Sequence, residues 1–100
     1  MSEKENNEER LPELSETEKI HYEQMMVEMA FENSYKVITK KTTFKELLNI
    51  KGSFGQKAIL IYNPDEGYDN LHLKDMINYF EEVEDYEKCA ELKKILDEYI

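Results

Sequence analysis

Apolar residues recur at helical spacing along much of this chain, most clearly over residues 71–100. Leu73, Met76, Ile77, Phe80 and Val83 fall at i, i+3, i+4, i+7 and i+10, which is one face of a helix. After Glu84-Asp85 a second stripe begins, with Tyr86, Cys89, Leu92, Leu96 and Tyr99 spaced 3, 3, 4 and 3. Two amphipathic stripes joined by a short acidic connection predict an α-helical hairpin, or one longer helix, that must bury its apolar side against something.

Upstream, Ser15-Glu16-Thr17-Glu18 has the form of a capping box, in which a hydroxyl and a carboxylate three residues apart satisfy each other's backbone N–H groups. The helix it opens carries Ile20, Tyr22, Met25, Met26, Met29, Ala30 and Phe31 and is expected to end between Asn33 and Ile38. Its apolar band is wide and rich in methionine. Thr43-Phe44-Lys45-Glu46 is a second capping box, predicting a short helix through Leu47, Leu48 and Ile50 that Gly52 stops. Asn63-Pro64-Asp65-Glu66-Gly67 reads as a turn, and Asp69 or Asn70 as the cap of the helix beginning at Leu71. The apolar run 57–62 is ambiguous. As a strand it would pair with 35–39, and as a helix it would start near Ser53 and end before Pro64. Helix is slightly preferred, because a lone two-stranded ribbon is marginal unless helices cover it. The fold expected is therefore mainly α: a small helical domain over 15–100 ending in a helical hairpin, with a two-stranded β element (35–39 with 57–62) as the alternative for the middle. Residues 1–14 are mostly Glu, Asn, Ser and Lys without periodicity, the composition of a disordered acidic tail.

Charge changes the picture more than composition does. The 100 residues carry a formal net charge of −10. Such a field repels DNA, RNA and anionic membranes, so direct binding to nucleic acid or to a membrane is not expected. The charge is uneven, however. Between residues 36 and 57 lie Lys36, Lys40, Lys41, Lys45, Lys51 and Lys57 against Glu46 alone, and acidic stretches flank this basic middle on both sides. Charge complementarity within the molecule, or a surface facing a partner, would account for that pattern. No apolar run approaches the ~18 residues of a membrane span, the first ten residues lack a signal-peptide core, and Cys89 has no second cysteine to pair with. A cytoplasmic protein is the expectation.

Candidate chemistry is thin. Asn63, Asp65, Gly67 and Asp69 alternate like calcium ligands, but an EF-hand loop starting at Asn63 would put Tyr68 and Lys74 where Gly and a bidentate Glu belong. Gly52-Ser53-Phe54-Gly55 is a GxxG tetrad between Lys51 and Lys57, as in the backbone clamp of KH domains, but a flexible connector explains it more simply. His21 and His72 lack partners at zinc spacing. Cys89 sits on the inner stripe with acids nearby, the opposite of what a nucleophilic thiolate needs. No catalytic residue, metal site or cofactor is expected, and the protein is not read as an enzyme.

At Tyr86-Glu87-Lys88-Cys89-Ala90-Glu91-Leu92-Lys93 the chain resembles the UVR motif, the helical hairpin of bacterial excinuclease B and C subunits and of some stress-protease adaptors. Tyr86, Glu87, Ala90 and Leu92 match its pattern, and Met76 stands where an upstream Met belongs. Cys89 replaces the first Ala, Lys93 the Arg, Lys94 the Asp and Leu96 the Ile. The resemblance spans about thirty residues, and it implies a protein–protein docking hairpin rather than a reaction.

The expected function is a small acidic interaction module, a regulator or adaptor docking on a larger protein through helical faces. The alternative is a phage- or mobile-element-encoded inhibitor that presents a nucleic-acid-like carboxylate surface to a basic nucleic-acid-binding or defence enzyme. A homo-oligomeric structural protein, such as a homodimer closed over the Met-rich helix, is the third possibility. Glu81, Glu84, Glu87 and Glu91, spaced 3, 3 and 4, are the candidate partner-binding row, with Tyr79 and Tyr86 beside them. On a hairpin that row would be interrupted at Asp85.

Overall fold

The computed structural model describes residues 15–51, 55 and 57–98. The acidic segment 1–14 lies outside them, as do Gly52, Ser53, Phe54, Gln56, Tyr99 and Ile100. The described residues form four helices: α1 (Glu16–Ile38), α2 (Phe44–Leu48), α3 (Asn70–Glu82) and α4 (Tyr86–Glu98).

Local sequence explains where the helices start. Ser15 accepts from the N–H of Glu18, and the Glu18 carboxylate accepts from the N–H of Ser15 at 2.8 Å. Thr43 and Glu46 repeat the arrangement at α2. At α3 the cap is Asp69, which accepts from Leu71 and His72, while His72 Nδ1 accepts the Asp69 N–H at 3.0 Å. Caps of this kind contribute ~1 kcal/mol each.

Two helices end in a way that glycine usually provides for. Glu84, after α3, takes φ 63°, and Lys40, after α1, takes φ 65°. In each case the next residue donates back to the last turn: Asp85 to the Phe80 carbonyl at 2.8 Å, and Lys41 to the Lys36 carbonyl at 2.8 Å. Both are Schellman closures carried by a residue with a Cβ. The first turns the chain from α3 straight into α4, which makes the hairpin.

The core lies where the hairpin meets the last third of α1. Leu73, Met76, Phe80 and Leu92 are fully buried, with Ile77 and Cys89 beside them and Tyr35, Ile38 and Tyr62 closing the cluster from α1 and the loop. Phe80 is held edge-on by Tyr35 (centroids 5.8 Å, 67°) and Tyr79 (5.0 Å, 78°), and Phe31 stacks flat on Tyr79 (4.2 Å, 2°). Among the described residues, two members of the predicted stripes are outside the core. Val83 caps α3 and Tyr86 opens α4, and both are exposed.

The middle segment differs from both expectations. There is no strand among the described residues, and 57–62 is not helical. Residues 35–38 are the final turn of α1, not a β partner. Residues 57–62 instead form an irregular strap lashed to α1 by side chains. Asn33 Nδ2 donates to the carbonyls of Lys57 (2.7 Å) and Ile59 (3.1 Å), and the Ile61 N–H donates to Ser34 Oγ at 2.9 Å. Backbone groups that a strand would offer to a neighbouring strand are satisfied by two buried polar residues of a helix, so the strap needs no β partner.

Candidate functional site

The predicted acidic row does not form one surface. Glu81 lies on α3, Glu84 occupies the left-handed turn, and Glu87 and Glu91 lie on α4. Glu91 turns back to the fold. It accepts a hydrogen bond from the Tyr35 hydroxyl and pairs with Lys41 at 3.3 Å, so it ties α4 to α1 and to the loop after it. Glu81 pairs across the hairpin with Lys93 at 3.5 Å. Glu84 and Glu87 are exposed without an ion pair among the described residues, beside exposed Tyr86. Tyr79 is half-buried under Phe31.

Lys88 is the other electrostatic tie. Its ammonium meets Asp85 at 2.5 Å and Glu32 at 3.6 Å while lying over the rings of Tyr35 (5.3 Å) and Phe80 (5.5 Å). The hydrogen bond from Lys88 holds the Asp85 carboxyl below its ordinary range, and the Tyr35 hydroxyl does the same for Glu91. Burial pushes Tyr35, Tyr62 and Tyr79 up, with the bond to Glu91 adding to the shift of Tyr35 and Glu28 and Glu32 to that of Tyr79. Depressed carboxyls contribute stability that is present above the ordinary carboxylate pKa and is lost as pH falls through the folded values. Raised tyrosines contribute stability that is present below their ordinary pKa near 10 and is lost as pH rises through the folded values. The melting difference between wild type and Glu91→Gln should therefore be largest near neutral pH and shrink below about pH 4. A difference that stays constant across the acid range would show that Glu91 ionisation is not linked to folding. Reversing Glu91 to lysine, by contrast, would set an ammonium beside Lys41 and strip Tyr35 of its acceptor.

Cys89 is buried, with Sγ 3.5 Å from the Ile77 carbonyl, and burial raises its pKa, with Glu81 and Asp85 adding to the effect. It fills the hairpin crossing as a small hydrophobe, whereas Ala90, the position matching the UVR pattern, is exposed. Among the described residues no three His, Cys, Asp or Glu side chains are grouped to hold a metal ion. No helix of the described residues is long and apolar enough to cross a membrane.

The most unusual surface is on α1. Its buried residues are Ala30, Asn33, Ser34, Tyr35 and Ile38, all in the carboxyl-terminal part. In the amino-terminal part Ile20, Tyr22, Met25 and Val27 each expose about half of their surface. Ile20 and Val27 look across an open groove to Tyr79 and Val83 at the end of α3, with Glu23 and Glu28 on its rim. On the sequence, the wide apolar band of this helix was the available signal. What it could not show is that only one end of the band is covered.

No family model matches the chain, and neither a curated protein nor a solved structure is similar to it.

Proposed function

We propose that the protein is an interaction module that docks on a protein partner through the open face of α1 and the adjoining hairpin turn. One observation carries this reading: the amino-terminal part of α1 is a capped helix on which Ile20, Tyr22, Met25 and Val27 each leave about half of their surface open. An isolated helix of that length is marginal in water, because most helical stability comes from packing an apolar face. Half-exposed Ile20 and Val27 beside exposed Val83 make an apolar surface of the kind that marks interaction sites, while half-exposed Tyr22 and Met25 lie on the other side of the helix. The resemblance of Tyr86–Lys93 to the UVR hairpin points the same way, toward docking and an adaptor or regulator role. Glu23 and Glu28 on the groove rim favour a partner with basic residues around an apolar centre.

The test uses exposed positions. Ile20→Gln with Val27→Gln should shift stability by less than ~1 kcal/mol, since neither side chain is in the core. The same variant should lose the partner in affinity capture from the native cell followed by mass spectrometry. Unchanged capture would remove α1 as the docking face. A nucleic-acid-mimicking inhibitor is the second reading, favoured by exposed Glu84 and Glu87 next to Tyr86, neither in an ion pair among the described residues. Glu84→Lys with Glu87→Lys would then abolish capture, and Ile20→Gln with Val27→Gln would leave it intact.

A further inference from the structure

We infer that the occupant of the α1 face is a second copy of this chain, whose Leu48, flanked by Lys45 and Lys51, closes on it in a reciprocal pair. The inference rests on the reading of α1 as a docking face and names what covers it. Two of the exposed apolar surfaces among the described residues differ in charge. The first is the groove of Ile20 and Val27, rimmed by Glu23 and Glu28, on a helix end that also bears Glu16 and Glu18 against Lys19 alone. The second is on α2. There Leu47 is buried, but Leu48 is 44% exposed, with Lys45 three residues earlier on the same side. Lys45 and Lys51 are exposed and enter no ion pair among the described residues, in a stretch where lysine outnumbers acid six to one.

Geometry favours a reciprocal arrangement. α1 spans 23 residues, about 34 Å at 1.5 Å per residue. α2 follows its carboxyl end after the connection 39–43, so the acidic patch and the basic patch belong to opposite ends of α1. In the inferred pair the two α1 helices run antiparallel, so that each acidic face meets the other copy's α2. A two-fold axis makes both contacts at once and leaves neither patch open. Pairing one α1 face directly against the other would set Glu23 and Glu28 against their own copies, a juxtaposition that like charge disfavours.

Charge reversal tests this on the full chain. Wild type should sediment at twice the mass of one chain at high protein concentration. Glu23→Lys with Glu28→Lys should weaken self-association by at least about tenfold, and so should Lys45→Glu with Lys51→Glu. Mixing the two variants should restore the pair, because each contact then again joins opposite charges. Leu48→Gln, at an exposed site, gives a charge-neutral check and should also weaken the pair. A monomer at every concentration overturns the proposal, as does a dimer indifferent to both reversals, or a mixture that stays monomeric. If the protein is monomeric yet Ile20→Gln with Val27→Gln loses a captured partner, the face belongs to another protein and the docking reading stands. If that variant alters neither mass nor capture, the docking reading itself fails.

Discussion

Phe80→Ala is expected to leave little folded protein near its present melting temperature. The ring is fully buried, sits edge-on to both Tyr35 and Tyr79, and lies under the Lys88 ammonium. Truncating such a phenylalanine costs ~3–5 kcal/mol, from lost transfer energy and from the cavity left behind. A domain of this size has on the order of 5–10 kcal/mol in total. At about 4–8 °C per kcal/mol, thermal unfolding followed by circular dichroism should move down by well over ten degrees. Val83→Ala, at an exposed position of the same stripe, is the control and should move little. If the Phe80 variant melts with the control, the cluster around it is not the core.

Asn33→Ala is expected to be the second most damaging change, although it removes only one small polar side chain. Its amide holds the carbonyls of Lys57 and Ile59 at 2.7 and 3.1 Å and is itself buried. Removing the donors leaves two partly buried carbonyls without partners, a loss of about 2–4 kcal/mol when each costs ~1–2. The effect should be local as well as global. Amide exchange at Ile61, whose N–H is held by the neighbouring Ser34, should accelerate, while amides in the α3–α4 hairpin should be affected less. Equal acceleration in the strap and in the hairpin would mean that the strap does not open separately.

The hairpin was legible in the sequence because its information is local. The stripe from Leu73 to Phe80, the Ser15 and Thr43 boxes and the Asp69 cap each act over three to seven residues, and all are present. The strap was not legible because its hydrogen bonds come from residues more than twenty positions away. No periodicity within 57–62 encodes Asn33. The trace it left was in α1, where Asn33 and Ser34 interrupt a band running from Ala30 and Phe31 to Tyr35 and Ile38. Two short polar residues at core positions of a helix are a signal that something arrives there with backbone groups to satisfy. The candidate acidic row failed as a single surface for the same reason. Glu91 looks like part of a solvated row until its partners at Tyr35 and Lys41 are known.

The strap has a consequence for how this protein behaves among its own copies during folding. Ala58-Ile59-Leu60-Ile61-Tyr62 is uncharged and rich in β-branched and aromatic residues, with no proline, the composition that stacks into cross-β assemblies when its edges are free. In the folded molecule the Ile59 carbonyl and the Ile61 N–H are already occupied by helix side chains, so those sites on the segment offer no template to a neighbour. Asn33 and Ser34 thus occupy, from the helix, two of the backbone sites through which this segment would pair with a copy of itself.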